Sequence, residues 1–237
     1  MSAVAAQSAM EFRLTIRRGE SLLVTLAIPV GVLIVFSKIE IANQPLDVLV
    51  PGVLALAVIA TSMVSLGIAT GFERRYNVLK RLASTPLSRR GIVMAKMINI
   101  VAIEAIQVVV ILAVAMALGW SFAWRVVPAL AVLVVGSVAF SGLGLLLAGT
   151  LRAEATLALT NLLYLLCIGI GGVVYPIEDL SDGLAAVATV MPSGAFVQSL
   201  RAVLDPGSVA LGWPLAILIA WAVVLPVLAI RLFRFEE

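Results

Sequence analysis

Side chains that commonly carry out chemistry are scarce in this sequence. It contains no histidine, which excludes His-based triads, most zinc sites and the usual proton shuttle. None of its three lysines follows a glycine, so the G-x-x-x-x-G-K-[ST] phosphate loop is absent. The single cysteine, Cys167, lies in an apolar segment and suits a structural thiol better than a disulfide or a metal ligand. We therefore expect no catalytic residue, no bound metal and no cofactor in this chain.

The acidic residues do not form a pair for acid and base catalysis. All four aspartates lie outside the long apolar segments: Asp47, Asp179, Asp182 and Asp205. Glu104 is the only charged residue well inside such a segment, and an intramembrane carboxylate is a functional candidate by default. Two interpretations stay open for Glu104. It either contacts a substrate or takes up a proton during transport, or it makes a structural hydrogen bond to a neighbouring helix.

The segment 72–90, which we call the basic run, contains the densest group of ionisable side chains. Seven of the sixteen basic residues lie in it or just beyond it: Arg74, Arg75, Lys80, Arg81, Arg89, Arg90 and Lys96. Helical spacing puts Phe72, Tyr76, Leu79 and Ala83 on one apolar face, and Thr85-Pro86 ends the helix. Such a short amphipathic helix can rest on anionic lipid or insert its apolar face into a groove of a soluble partner.

The elements that position these groups follow from composition. Of the 237 residues, 62% are apolar and 12% are charged, about half the charged share of a soluble domain. Seven charge-free windows have 17 or more residues: 21–37, 48–72, 105–124, 126–151, 155–177, 183–200 and 206–230. A spanning helix needs about 20 apolar residues. The window 183–200 is broken by Met191-Pro192-Ser193-Gly194, which favours a broken interfacial helix pair and leaves six spans.

The placement of positive charge predicts the orientation of these spans. With six spans, only Lys38, Arg125 and Arg201 lie on one side, and the other thirteen basic residues lie on the opposite side. Because the cytoplasmic side carries the excess of Lys and Arg, both termini are predicted to be cytoplasmic. No small-x-small cleavage site follows the first span, so we expect it to remain in the protein.

Polar side chains within the spans fall on defined helical faces. In the third span, Lys96, Asn99, Glu104 and Gln107 share a face that should turn toward protein or water. The second span places Thr61, Ser62 and Ser65 on one face, and the fifth does the same for Thr156, Thr160 and Tyr164. Such hydroxyls either line a path or act as packing contacts between helices.

The basic run resembles the cytoplasmic signature of type-2 ABC transporter permeases. In that signature an acidic-basic pair precedes a Leu-x-x-Leu-x-x-Thr-Pro-Leu segment. The matching residues are Glu73, Arg74, Arg75, Tyr76, Leu79, Lys80, Arg81, Leu82, Thr85, Pro86 and Leu87. Asn77 stands where the family usually has a small residue or glycine. The six spans and the broken outer segment fit the same family, and the chain is most similar to small bacterial drug-export permeases of the daunorubicin type, without a fused ATPase.

The resemblance implies a division of labour between chains. A separate cytoplasmic ABC ATPase would bind ATP and Mg, and two permease chains, as a homodimer or heterodimer, would form the path. Residues 1–237 would be one permease domain with a cytoplasmic amphipathic connecting helix (1–20), a cytoplasmic coupling loop (72–91) and outer broken helices (176–205). Residues 73–83 would form the coupling helix. The candidate path residues are Thr61, Ser62, Ser65, Glu104, Thr156, Thr160, Asn161 and Tyr164.

The expected function is that of a multi-pass permease in a bacterial cytoplasmic membrane. It would contact lipid but no nucleic acid, and would export a hydrophobic or amphipathic, drug-like or lipid-like substrate, as in drug resistance. Two alternatives stay open: export of a glycan or lipid-linked carrier, and ion-coupled secondary transport through Glu104. An ATPase that co-purifies with the chain would favour the ABC interpretation, and transport driven by a proton gradient without a partner would favour the last.

Overall fold

The computed structural model describes residues 7–13, 19–38, 45–79, 89–121, 125–173, 176–205 and 210–234. These residues are mostly helical and include no strand, so the predicted all-α fold class is confirmed. Residues 7–13 form a short helix. The helices that follow are α1 (Gly19–Lys38), α2 (Leu46–Arg75), α3 (Arg89–Ala117), α4 (Val126–Thr150), α5 (Ala153–Ile170), α6 (Asp182–Val190), α7 (Pro192–Leu204) and α8 (Gly212–Leu232).

Helix length and composition agree with six membrane spans. Five helices, α2, α3, α4, α5 and α8, are long and apolar enough to cross a membrane. Helix α1 has 20 residues, and at 1.5 Å per residue it reaches about 30 Å, the thickness of the hydrocarbon core. Helices α6 and α7 meet at an 84° bend, so together they do not form a straight span. The five long helices, and α1 with its shorter apolar part Thr25–Ser37, are the helices that correspond to the six spans expected from the sequence.

Residues that the charge pattern predicts to lie on the same side of the membrane contact each other at the same end of the helix bundle. Residues predicted to be cytoplasmic meet at one end, where Lys96 pairs with Glu73 and the Arg234 backbone N–H donates to the Gly149 carbonyl at 3.0 Å. At the other end, Trp120 Nε1 donates to Asp47 Oδ1 at 2.8 Å. We call these the cytoplasmic end and the outer end.

Helix α4 lies at the centre of the bundle. It packs against α2, α7 and α8, and against α3 and α5 to a smaller extent. Small residues allow the closest of these contacts: a Cβ added at Gly144 would lie 2.6 Å from the carbonyl oxygen of Met63 in α2. On another side of α4, the ring of Phe140 packs against that of Phe196 in α7, with centroids 6.1 Å apart. The side chains of both phenylalanines are fully buried.

Helix α2 changes its hydrogen-bonding pattern midway. Residues Ala60–Ser65 are π-helical, with α-helix before and after them. A π-helical turn bonds i to i+5 instead of i to i+4, so the side chains that follow are rotated relative to a regular helix. Faces deduced by treating this span as one continuous α-helix are therefore displaced, and short π-helical segments are frequently found at functional sites.

Several predicted boundaries differ from the observed ones. Helix α3 ends at Ala117 and is followed by Gly119 with φ of 97°, so residues 118–121 of the window 105–124 are not helical. Helix α5 ends at Ile170, seven residues before the end of its window, and α8 begins at Gly212. The connecting helix predicted over 1–20 is described only at 7–13, and its last two residues belong to α1.

We predict that Gly144→Ala will lower the free energy of unfolding by about 1–3 kcal/mol, because the added methyl group forces α2 and α4 apart. Gly31→Ala in α1 is the matched control, since a Cβ there meets no atom within 4 Å among the described residues, apart from the backbone of its own helix. The control should be neutral or stabilising by up to about 1 kcal/mol. Unfolding in mixed detergent micelles, followed by tryptophan fluorescence, measures both. Equal stability of the two variants would show that Gly144 does not set the helix separation.

Candidate functional site

Three consecutive charged residues end α2, and each contacts a different element. Glu73 Oε2 accepts a hydrogen bond from Lys96 Nζ in α3 at 2.6 Å. Arg74 Nη2 donates to the carbonyl of Leu151, between α4 and α5, and Arg75 forms an ion pair with Glu154 in the first turn of α5. We call Glu73, Arg74 and Arg75 the clamp. It attaches the cytoplasmic end of α2 to α3, to the α4–α5 connection and to α5.

Lys96 extends the clamp to the amino-terminal helix. Its side chain is only 4% exposed, and its Nζ also lies 3.8 Å from Glu11 Oε1. Glu11 in turn accepts a hydrogen bond from Gln7 Nε2 at 2.9 Å. The hydroxyl of Ser8 donates to the Ala95 carbonyl at 3.3 Å, so residues 7–13 pack directly on α3. A nearly buried ammonium between two carboxylates therefore joins three elements at the cytoplasmic end.

The chain reverses direction just after the clamp. Helix α2 is capped at Tyr76, and Asn77 has φ of 58°, a left-handed conformation that glycine and asparagine adopt more readily than other residues. This conformation explains why asparagine can stand where the family usually has a small residue or glycine. The ring of Tyr76 stacks on Phe72 with centroids 6.2 Å apart, and the residue is 63% exposed.

The coupling helix predicted over residues 73–83 is therefore wrong in its first half. Residues 73–75 belong to α2, and the turn at Asn77 removes Leu79 from the face that carries Phe72 and Tyr76. Leu79 is 1% exposed, whereas Tyr76 is on the surface. The described part of the coupling segment after α2 is therefore a turn at Tyr76 and Asn77, followed by the helical residues Val78 and Leu79. The remaining predicted residues lie outside the described part of the chain: Lys80, Arg81, Leu82, Thr85 and Pro86.

A cavity of about 640 Å³ lies beside the π-helical segment. Helices α1, α2 and α5 line it. Four lining residues have polar side chains, Thr25, Ser65, Asn161 and Tyr164, and the other six are aliphatic or proline: Ile28, Pro29, Ala60, Val64, Ile68 and Ala69. A mostly apolar wall with a few polar groups is typical of sites for small amphipathic molecules. We call it the main cavity.

Only three of the eight predicted path residues line the main cavity: Ser65, Asn161 and Tyr164. Asn161 Nδ2 also donates to the Leu157 carbonyl at 2.7 Å, which fixes its amide within α5. Sequence reasoning missed Thr25 and Pro29 in α1. The sequence feature that could have indicated them is their spacing of four residues, which puts a hydroxyl and a proline on one helical face.

The other hydroxyls predicted to line the path are instead buried in contacts within one helix or between two helices. Thr61 Oγ1 donates to Gln107 Oε1 in α3 at 2.9 Å, and Ser62 Oγ donates to the Val58 carbonyl at 2.6 Å. Thr156 and Thr160 are fully buried, and their methyl groups face Gly71 and Gly67 of α2. The π-helical segment accounts for the divergence of Thr61, Ser62 and Ser65, because it rotates their side chains away from a common face.

Glu104 does not line the main cavity. It lies in α3, hydrogen-bonded to Ser137 of α4, beside a separate cleft of about 170 Å³. The prediction that the polar face of α3 turns toward protein is confirmed, since all four of its residues are buried: Lys96, Asn99, Glu104 and Gln107.

These features define a multi-pass helical membrane protein with an amphipathic cavity and a clamped cytoplasmic end. The chain belongs to the ABC-2 type transporter family, whose model matches residues 4–204, from the amino-terminal helix to the end of α7. The family comprises membrane subunits of ABC transporters that are not themselves catalytic, and membership implies association with an ABC ATPase and often dimerisation. A search of curated proteins gave no match.

Removing the positive charge at Lys96 should weaken the cytoplasmic end. We predict that Lys96→Met will lower the free energy of unfolding by about 2–3 kcal/mol, because it leaves two neighbouring carboxylates without their cation. Arg75→Met makes the same change in an exposed ion pair and should cost less than about 1 kcal/mol. Chemical unfolding in micelles provides both values, and a larger loss for Arg75→Met would contradict this assignment.

Proposed function

We propose that this chain is the membrane subunit of an ABC exporter that moves hydrophobic or amphipathic molecules outward across a bacterial cytoplasmic membrane. Two permease chains would form the complete path, and a separate cytoplasmic ATPase would bind ATP and Mg and hydrolyse the nucleotide. Outward transport and the drug-export subtype rest on the resemblance of the cytoplasmic loop to daunorubicin-type permeases. The family assignment supports the ATP-driven mechanism.

One observation carries the proposal: a single helix, α2, contains both the exposed loop end and a wall of the main cavity. Tyr76 caps its cytoplasmic end, and Ser65 lines the cavity about three turns away. A partner that moves the loop would therefore move the cavity wall as well. The π-helical segment between Ala60 and Ser65 is the part of α2 where such a movement would change side-chain direction.

The chemistry of the main cavity favours an amphipathic cargo. Its volume of about 640 Å³ falls within the range of about 300–1,000 Å³ that is typical of drug-sized ligands. Among the described residues that line it, none carries a charge, and Tyr164 is the one aromatic side chain. Glycan sites usually present many polar groups or aromatic platforms, so a drug-like or lipid-like molecule fits this lining better than a glycan or lipid-linked carrier.

The alternative of ion-coupled transport through Glu104 has less support. Glu104 faces a cleft that shares no lining residue with the main cavity. Membership in an ABC transporter family also assigns the energy source to a nucleotide-hydrolysing partner. We therefore place the driving force at the cytoplasmic loop.

Tyr76 is the exposed aromatic side chain best placed to contact the ATPase. We predict that Tyr76→Ala will reduce the ATPase recovered with the affinity-purified permease by about tenfold, the effect of losing one interface anchor. Trp213→Ala provides the control, since Trp213 is similarly exposed but lies in α8 at the outer end. Undiminished ATPase recovery with Tyr76→Ala would refute this contact.

The cavity is tested separately from the loop. We predict that Asn161→Leu will reduce ATP-dependent uptake of rhodamine 6G into inside-out vesicles severalfold, because the main cavity loses a polar contact, while ATPase recovery stays normal. Leu162→Asn inserts the same amide on an exposed neighbour in α5 that does not line the cavity. If dye uptake is unaffected by Asn161→Leu, the main cavity is not the path.

A further inference from the structure

A second cleft lies between α2, α3 and α4. It has a volume of about 170 Å³ and is lined by Glu104 and eight aliphatic side chains, including Val58, Leu130 and Val134. It shares no lining residue with the main cavity. Its wall therefore combines one carboxyl group with a surface that is otherwise entirely aliphatic.

The mouth of this cleft opens among exposed apolar side chains of α3 and α4, a surface that suits the hydrocarbon of a bilayer. Val109, Leu130 and Val134 are 67%, 50% and 46% exposed, whereas Glu104 is only 5% exposed. Glu104 lies within the membrane-spanning part of α3, Met94–Ala117, roughly 15 Å along the helix from its first residue and roughly 20 Å from its last. A molecule that reaches this carboxyl from the cleft must therefore come through the apolar part of the membrane.

The carboxyl of Glu104 can form a further hydrogen bond. Ser137 is its hydrogen-bond partner, but the Oε1 oxygen has no hydrogen-bond partner among the described residues. A buried polar atom without a partner is costly, since nothing replaces the water it has lost. A ligand that supplies a hydrogen bond to Oε1 would recover this cost.

We propose that the cleft beside Glu104 binds the head of a lipophilic amine that enters from the bilayer, with the amine nitrogen hydrogen-bonded to the carboxyl. An amine and a carboxylic acid carry no net charge as a pair, whether the proton stays on oxygen or moves to the nitrogen lone pair. Such a pair avoids the cost of an isolated buried ion. The inference goes beyond the proposed function, because this site lies outside the main cavity.

The size and depth of the cleft narrow the ligand class. An engineered apolar cavity of about 150 Å³ takes up benzene, so a cleft of about 170 Å³ suits one ring or a short branched alkyl group. The amino headgroup of a phospholipid stays at the membrane surface, far from the middle of α3. The ligand is therefore a small amphipathic amine that dissolves in the hydrocarbon, or carries its apolar tail there.

A pair of photoreactive probes tests this site on the full-length permease in lipid nanodiscs. Both probes are trifluoromethyl phenyl diazirines, one with a dimethylaminomethyl substituent and the other with its carbon isostere, isobutyl. After illumination, mass spectrometry measures the labelling of segments 101–109 and 130–134. We expect the amine probe to label them about tenfold less in Glu104→Gln than in the wild type, while the isobutyl probe labels both equally. Equal labelling of the wild type and Glu104→Gln by the amine would overturn the proposal.

Two further variants test the cleft with Glu104 left in place. Val134→Phe fills the mouth, whereas Val127→Phe makes the same change on the same helix at a residue that is 77% exposed and does not line the cleft. Labelling by the amine should fall severalfold in Val134→Phe only. Unchanged labelling in Val134→Phe would also overturn the proposal. The labelling experiment needs no ATPase. A negative labelling result would therefore refute the amine site but not the proposed export function, and a negative transport result would refute the export function but not the amine site.

Discussion

The ion pair between Glu73 and Lys96 holds the cytoplasmic end of α2 against α3. Lys96 is nearly buried, so its charge must be balanced by nearby carboxylates, and Glu73 at 2.6 Å and Glu11 at 3.8 Å provide this balance. Arg74 and Arg75 add contacts from the same turn of α2 to the connection before α5 and to α5 itself. The loop after α2 is therefore tied to the helix bundle, and a displacement of Tyr76 would also displace α2, α3 and α5.

A force applied at the cytoplasmic end would reach the main cavity through α2, which is π-helical where it lines the cavity. The π-helical segment of α2 lines the cavity on one side, and on another side its backbone at Ser62 and Met63 packs tightly on Gly144 of α4. Close packing makes that contact stiff, because overpacked or separated helices lose dispersion contacts quickly. Movement of α2 is therefore expected to change the α1 and α5 side of the cavity, where packing is looser, more than the α4 side.

The fold could be predicted from the sequence because charge and hydropathy act over whole segments. Thirteen basic residues on one side predict which end is cytoplasmic, and the bent pair α6–α7 followed from Pro192 and Gly194. The site was harder to predict. Helical wheels assume a constant period, so the π-helical segment separated Ser65 from Thr61, and the left-handed Asn77 ended a helix that the pattern continued to Ala83. The clamp could not be predicted from the sequence, because a run of neighbouring charges does not reveal which distant helices each charge contacts.

The clamped ends of α2 and α3 should move as one body when the proposed ATPase partner acts. Distances between spin labels at Val78 and Met94, both exposed and neither proposed as the ATPase anchor, measure this in the permease–ATPase complex, with Cys167 replaced by alanine. The distance distribution between the two labels should be the same without nucleotide and with ATP plus vanadate, and should broaden when Glu73→Gln is added. A shift of that distance on nucleotide trapping in the otherwise unaltered clamp would show that the helix ends move separately and would contradict the account.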